Sequence, residues 1–143
     1  MKVLINVDVD HLEQATRFYA GAFGLTVGRR LGVDAVEMLG GSAPIYLLAK
    51  AADSQACGSP PLRRNYARHW TPVHLDFVVE EIEPAVRQAV DAGAQLESAI
   101  STHPWGRLAL MADPFGHGFC LVQFLAGGYE EIAQGEGTTQ HTP

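Results

Sequence analysis

The stretch VLINVDV at residues 3–9 recurs seventy positions later as VHLDFVV at residues 73–79. Both stretches are rich in β-branched and aliphatic residues, which favour β-strands. Each is followed by acidic residues, an apolar pattern with helical spacing, a glycine and three further apolar segments. We therefore predict an α+β domain of two βαβββ modules, because two repeats form a closed pseudo-symmetric unit and not a solenoid.

The predicted helices are defined by apolar residues spaced three and four apart. Asp10 and Glu13 match a capping box before the first helix, and Gly24 and Gly93 are placed to end the two helices. The apolar stripes consist of Leu12, Ala15, Phe18, Tyr19, Ala22 and Phe23 in the first helix and Ile82, Ala85, Val86, Ala89 and Val90 in the second.

A chain of 143 residues has the size of one domain. The predicted parts are a domain at 1–127, comprising module one at 1–50, a connecting segment at 51–72 and module two at 73–127. Residues 128–143 form a tail, which we expect to be disordered from Gln134 onward because no aliphatic or aromatic residue follows.

Composition and charge exclude several classes of partner. The net charge is -6 and no lysine or arginine run occurs, so we expect neither a nucleic-acid partner nor a membrane partner. No apolar run approaches the length of a membrane span, and the first residues do not resemble a signal peptide. The expected location is the cytoplasm, with both cysteines reduced.

Four segments together resemble the glyoxalase/bleomycin-resistance/dioxygenase group, also called the vicinal-oxygen-chelate superfamily. The first segment is VDHLEQATRFYAGAFGL at 9–25, which contains the pattern Val-x-x-Leu-x-x-Ala-x-x-Phe-Tyr followed by Phe-Gly-Leu. The other three are HLDFVV at 74–79, AGA at 92–94 and DPFGHGFCL at 113–121. The resemblance implies eight strands in one cup-shaped mixed sheet, with the helices outside and a small molecule inside. It also implies a homodimer.

Strand alternation then predicts which side chains line the cup. With His74 facing inward, Asp76 shares its face, and the repeat places Asn6 and Asp8 on the equivalent face of module one. The other inward positions are Leu4, Tyr46, Val78, Cys120 and Val122.

Metal-dependent members of the resembled family place His, Gln or Glu ligands at four inward positions. Here these positions hold Leu4, Tyr46, His74 and Cys120, so His74 is the only surviving metal-ligand candidate. A catalytic ion needs about three protein ligands. We therefore expect no cofactor. Zinc, nickel, manganese or iron is the alternative, if Asp76 or another group joins His74 and Cys120.

Individual candidates have more than one interpretation. His74 can be a metal ligand, a general base, or a hydrogen-bonded residue of a polar cavity. Cys120 can be a nucleophile or a buried structural cysteine. Asp8 and Asp76 can hold a cationic or hydroxyl-bearing ligand, although Asp8 can equally lie at the surface.

A second cluster consists of His103, Trp105 and Arg107. It can form a stacking platform with an anion clamp. Alternatively, it is a loop in which Trp105 covers the core and Arg107 points outward. In the connecting segment, the arginines can form a cationic lid or a solvated turn, and two aromatic residues can close over the cup. These residues are Arg63, Arg64, Arg68, His69 and Trp70. We expect His117 to be structural and His11 to be solvated.

Two functional hypotheses follow. The first is a metal-free binding protein of the bleomycin-resistance type, which sequesters a small aromatic or cationic compound. The second is a glyoxalase-type lyase, isomerase or dioxygenase that uses His74 as base or ligand.

Overall fold

The computed structural model describes residues 1–135 and contains two modules in the predicted places, the second with one strand more than the predicted βαβββ order. Module one comprises β1 (Ile5–Val9), α1 (Leu12–Phe23), β2 (Thr26–Leu31), β3 (Ala35–Leu39) and β4 (Ile45–Ala49). Module two comprises β7 (Leu75–Val78), α2 (Ile82–Ala92), β8 (Gln95–Leu96), β9 (Ser101–His103), β10 (Gly106–Ala112) and β11 (Gly118–Phe124). A hairpin of β5 (Gln55–Gly58) and β6 (Pro61–Arg63) lies between the modules, and a 3-10 helix (Gly128–Glu131) follows them.

The α+β fold class is confirmed, but the strands form two main sheets where one eight-stranded sheet was expected. Module one has the order β1-β4-β3-β2, and module two has the order β7-β11-β10-β8 with β9 also paired to β10. β1 and β7 are the facing edge strands, and within residues 1–135 no ladder joins them. The backbone groups at this seam are therefore open to a ligand or to side chains.

Both helices end at the predicted glycines, but the predicted capping box is wrong. Gly24 adopts a left-handed conformation with φ 65°, and the backbone N–H of Gly93 donates to the carbonyls of Ala89 and Val90. At the start of α1, His11 occupies the N-cap position and makes no side-chain cap hydrogen bond. The helix begins one residue later than the Asp10 cap required, so its first turn lacks that stabilisation.

The core lies between the helices and one face of each sheet. α1 buries residues three and four apart, as predicted, and α2 buries Ile82, Val86 and Ala89. The helices also pack against each other, and the Gln88 amide donates to the Gly21 carbonyl at 2.9 Å. The rings of Phe23 and Phe77 stack with centroids 3.9 Å apart, which joins module one to module two. Since each buried large apolar side chain contributes about 1.5–3 kcal/mol, this shared core holds the modules together.

The connecting segment at 51–72, called the strap below, is anchored to both modules. It contains the β5–β6 hairpin, which its sequence did not predict. The Tyr66 hydroxyl donates to the Lys50 carbonyl at 2.7 Å, and Arg68 forms a double hydrogen bond with Glu97 of module two. The strap thus connects the two modules through side-chain hydrogen bonds as well as through the chain.

None of the helices in the described range has the length and apolar character that crossing a membrane requires. The predicted disorder from Gln134 onward concerns residues that, except for Gln134 and Gly135, lie outside that range.

Candidate functional site

A cavity of about 290 Å³ lies in the seam between β1 and β7. Its floor is apolar and includes Val7, Phe77 and Phe119. Its polar side chains are Asn6, Asp8, Tyr19, Thr71, His74 and His117. Small-molecule sites are commonly apolar pockets with a few polar groups that fix orientation, and this seam cavity has that character.

A second cavity of about 250 Å³ lies between the strap and the sheet of module two. Arg68, Trp70 and Thr71 of the strap cover it, and Cys120 lines its opposite wall. His74 lines both this strap cavity and the seam cavity. His74 is thus positioned to contact a molecule in either space.

The structure brings together three of the predicted inward residues. His74 Nε2 lies 3.1 Å from Asp76 Oδ1, and Asp76 faces Cys120 across the parallel pairing of β7 with β11. One nitrogen, one carboxylate oxygen and one sulfur of this trio all lie within 4.8 Å of one another. The trio offers three donor atoms, the number of protein ligands that a catalytic zinc site needs. At the four ligand positions of the family, only His74 is a ligand residue of the family's His, Gln or Glu type.

Cys120 is a buried thiol and not an activated nucleophile. Burial, and then the adjacent Asp76 carboxylate, raise the pKa of Cys120 to about 11. A thiol in this state is protonated at neutral pH and packs as a small apolar group. Binding of a metal would require the loss of that proton.

On the sheet of module one, Tyr46 belongs to a hydrogen-bonded network with Glu37 and Arg29. Its hydroxyl donates to Glu37 Oε2 at 2.7 Å, and Arg29 binds both oxygens of Glu37 at 3.1 and 2.6 Å. Arg29, and then Tyr46, lower the pKa of Glu37 to about 2. Glu37 was not among the sequence candidates. Its position opposite Tyr46 in the ladder of β3 with β4 became visible only with the strand register.

Asp8 lies in the seam cavity but is paired within the chain. Arg64 of the strap donates from Nε to Asp8 Oδ2 at 2.8 Å, and the Arg64 side chain is only 18% exposed. Arg63 lies near Asp53 and Arg68 pairs with Glu97. The three strap arginines are therefore bound to carboxylates and do not form a free cationic lid.

The cluster of His103, Trp105 and Arg107 lies away from both cavities. The rings of His103 and Trp105 are stacked 4.9 Å apart, and Trp105 also contacts Tyr129. Arg107 shares its strand face with the core residues Ala109 and Met111, and it binds Glu83 of α2 at 2.5 Å. The stacking is present, but Arg107 points to the helix side and is no anion clamp for the cup.

Two other histidines, His11 and His69, lie at the surface. His11 is exposed and lies 3.7 Å from Asp10. His69 is exposed and its Nδ1 lies 2.8 Å from the Ala67 carbonyl oxygen, whereas the neighbouring Trp70 does lie over the strap cavity.

Residues that sequence reasoning missed include Tyr19 and Asp113. Asp113 is buried, and it accepts hydrogen bonds from the backbone N–H groups of Phe115 and His117, from the Tyr19 hydroxyl and from the His117 ring. An aspartate that opens an Asp-Pro-x-Gly turn is a known signal for such local bonds. The hydrogen bond from Tyr19, which lies 94 positions away in the chain, cannot be predicted from local sequence.

A larger cleft, of about 500 Å³, opens elsewhere along the seam, beside the helices. Its walls are mostly apolar and include Phe23, Leu75 and Ala85, with Gln88 and Asp76 as polar members. It contains no histidine or tyrosine, so we place the candidate site in the two cavities that His74 lines.

Curated relatives share moderate sequence identity with this chain. An uncharacterized protein of Mycobacterium bovis is 29% identical over 120 residues, which cover 80% of this chain and 78% of that protein. The anthracycline biosynthesis protein DnrV of Streptomyces peucetius is 37% identical over 67 residues, which cover 47% of this chain and 23% of that protein.

Solved structures share the fold at low identity. A glyoxalase-related enzyme from Fulvimarina pelagi superposes with a TM-score of 0.67 at 19% identity, over 86% of this chain and 87% of that one. A glyoxalase/bleomycin resistance protein/dioxygenase family enzyme from Burkholderia phytofirmans gives 0.66 at 18% identity, over 85% and 97%.

The family model for the glyoxalase-like domain matches residues 4–122 of this chain. That range covers the strap and both modules, except for the last two residues of β11. The chain therefore belongs to the glyoxalase-like domain family.

Proposed function

We propose that the chain is a binding protein for a small, neutral, aromatic molecule, held in the seam cavity without a metal. The observation that carries this proposal is the cavity of about 290 Å³ with the rings of Phe77 and Phe119 in its floor and His74 at its rim. A dry apolar cavity of about 150 Å³ already holds benzene, so this volume is sufficient for a bicyclic ring system.

The charges around the cavity favour a neutral ligand over a cationic one. Asp8 is bound by Arg64 and Asp76 is contacted by His74, so each aspartate expected to attract a cation already has a partner. A cation entering the cavity would lose its hydration without gaining a free carboxylate, and that exchange is unfavourable.

The names of relatives are consistent with an aromatic ligand. Several superposable structures are described as glyoxalase/bleomycin resistance proteins, and one relative is described as an anthracycline biosynthesis protein. Anthracyclines are polycyclic aromatic compounds.

Calorimetric titration with quinoline and N-methylquinolinium, which differ mainly in charge, tests this proposal. We expect quinoline to bind and N-methylquinolinium to bind at least ten-fold more weakly, because the cation gains no free carboxylate. We expect His74→Ala to weaken quinoline binding about three- to ten-fold through lost contact area, with little change in stability. His69→Ala, an exposed strap histidine, should leave binding unchanged. Equal binding of both compounds, or no binding of either, would contradict the proposal.

A second candidate function is metal-assisted or His-based lyase, isomerase or dioxygenase chemistry. The trio of His74, Asp76 and Cys120 favours it, because a nitrogen, an oxygen and a sulfur donor lie close together on two neighbouring strands. When bound, a divalent ion would polarise a substrate carbonyl or activate water. The three side chains would hold it, with one position left open.

Metal analysis of protein dialysed separately against zinc, nickel, manganese and ferrous iron distinguishes the two candidates. Enzyme chemistry at the trio predicts near-stoichiometric uptake of one ion, abolished by Cys120→Ala and retained in Cys57→Ala, since Cys57 is exposed and outside the trio. The binding-protein proposal predicts less than one tenth of an ion per chain in both variants and in the wild type.

Homodimerisation and a cytoplasmic location stay predictions. A second copy of the chain is proposed as partner on family grounds, and size-exclusion chromatography with light scattering measures it directly.

A further inference from the structure

We propose that His117 is the polar anchor of the seam cavity and that the ligand is a hydroxylated aromatic compound, which donates its hydroxyl hydrogen to His117 Nε2. This inference rests on the proposed function and adds the chemical class of the ligand.

Asp113 is a buried carboxylate that accepts four hydrogen bonds. Oδ1 accepts from the N–H groups of Phe115 and His117 at 2.8 and 2.9 Å. Oδ2 accepts from the Tyr19 hydroxyl at 3.2 Å and lies 2.7 Å from His117 Nδ1. Burial, and then the Asp113 charge, raise the pKa of Tyr19 well above its usual range, so the phenol stays protonated and donates.

These bonds fix the tautomer of a neutral His117. A carboxylate can only accept, so the hydrogen of the imidazole lies on Nδ1 and points to Asp113. Nε2 is then the acceptor nitrogen. The hydrogen bonds from the Tyr19 hydroxyl and from two backbone N–H groups fix the position of the Asp113 carboxylate. The carboxylate in turn fixes the orientation of the His117 ring.

His117 Nε2 is available to a ligand. Within residues 1–135 it has no hydrogen-bond partner, and no unpaired side-chain nitrogen or oxygen is buried in that range. The His117 side chain is 30% exposed, and the residue lines the seam cavity together with Phe77 and Phe119. An oriented acceptor beside an apolar ring-lined floor matches a flat aromatic molecule that carries a hydrogen-bond donor.

A hydroxyl is the donor that best fits these surroundings. An ammonium would enter a cavity whose Asp8 carboxylate is already taken by Arg64. An uncharged phenolic hydroxyl has a smaller desolvation cost than an ammonium, and it supplies one strongly polarised O–H to the Nε2 acceptor.

The test compares 6-hydroxyquinoline with 6-methoxyquinoline, which differ in the hydroxyl hydrogen and one methyl group. We expect the hydroxyl compound to bind the wild-type chain about five- to ten-fold more tightly, the range of one hydrogen bond. In His117→Asn, which keeps an N–H for Asp113 but lacks Nε2, we expect this preference to disappear while binding of the methoxy compound is kept. His103→Asn, away from the cavity, should keep the preference.

Nitrogen-15 NMR of the wild-type protein gives a second measurement that does not depend on the folding of a variant. We expect an unprotonated Nε2 in the free chain, whose resonance shifts with 6-hydroxyquinoline and much less with 6-methoxyquinoline. Equal affinity for the two compounds, or a protonated Nε2 in the neutral ring, overturns the role of His117 while binding of quinoline itself still stands. If no quinoline binds, the proposed function and the role of His117 both fail.

Discussion

Replacing Asp113 by alanine is expected to lower the free energy of unfolding by about 3 to 5 kcal/mol. The substitution removes an acceptor of four hydrogen bonds and leaves the buried Tyr19 hydroxyl and two backbone N–H groups without a partner. For a chain of this size, the loss corresponds to a decrease of about 10 °C or more in Tm. Urea denaturation followed by circular dichroism measures the change in free energy.

Asp34→Ala is the matched control for this measurement. Asp34 is an aspartate in the exposed turn between β2 and β3, and its side chain makes no hydrogen bond within residues 1–135. Its substitution should change stability by less than about 0.5 kcal/mol. A loss of under about 1 kcal/mol in Asp113→Ala would show that the network around His117 does not hold as described.

The second large effect is expected from Gly116→Ala, at about 3 kcal/mol. Gly116 has φ 89°, which strains any residue with a Cβ, and an added Cβ would overlap the Tyr66 carbonyl oxygen of the strap backbone. The strap would have to move away from module two. We therefore expect lower stability in urea and faster trypsin cleavage after Arg63 and Arg64.

Gly118→Ala provides the contrast two residues away. A Cβ there would meet the Arg68 guanidinium, the far end of a flexible side chain, and Gly118 has no positive φ. The expected cost is about 1 kcal/mol or less, the loss of a partly exposed ion pair with Glu97. Equal losses in the two variants would argue against close packing of the strap backbone on the Gly116 turn.

The parts of this fold that were predictable from the sequence are those set by local periodicity. The repeat with an offset of seventy identified both modules, and Gly24 and Gly93 marked the helix ends. Strand alternation placed Asp76 on the face of His74, because side chains separated by two residues share a face of a strand, and the family resemblance implied that Cys120 faces the same space. The structure then shows the side chains of Asp76 and Cys120 adjacent.

The parts that were not predictable depend on distant partners. Asp8 was an open carboxylate in the sequence, and only the folded strap brings Arg64 to it across 56 positions. Arg107 could have faced either side, since its orientation depends on the register of β10 with β11 and on Glu83 in α2. His117 was expected to be structural because it lies in a turn between two strands, and only the packing of the two modules places it in the lining of the seam cavity.

Amide chemical-shift mapping with quinoline locates the ligand as well as detecting it, so it is the decisive measurement for binding in the seam cavity. We expect the perturbed amides to cluster on that cavity, at Val7, His74, Phe77, His117 and Phe119. Perturbations centred on the helix-side cleft near Phe23 and Gln88, or none at saturating quinoline, would contradict this expectation.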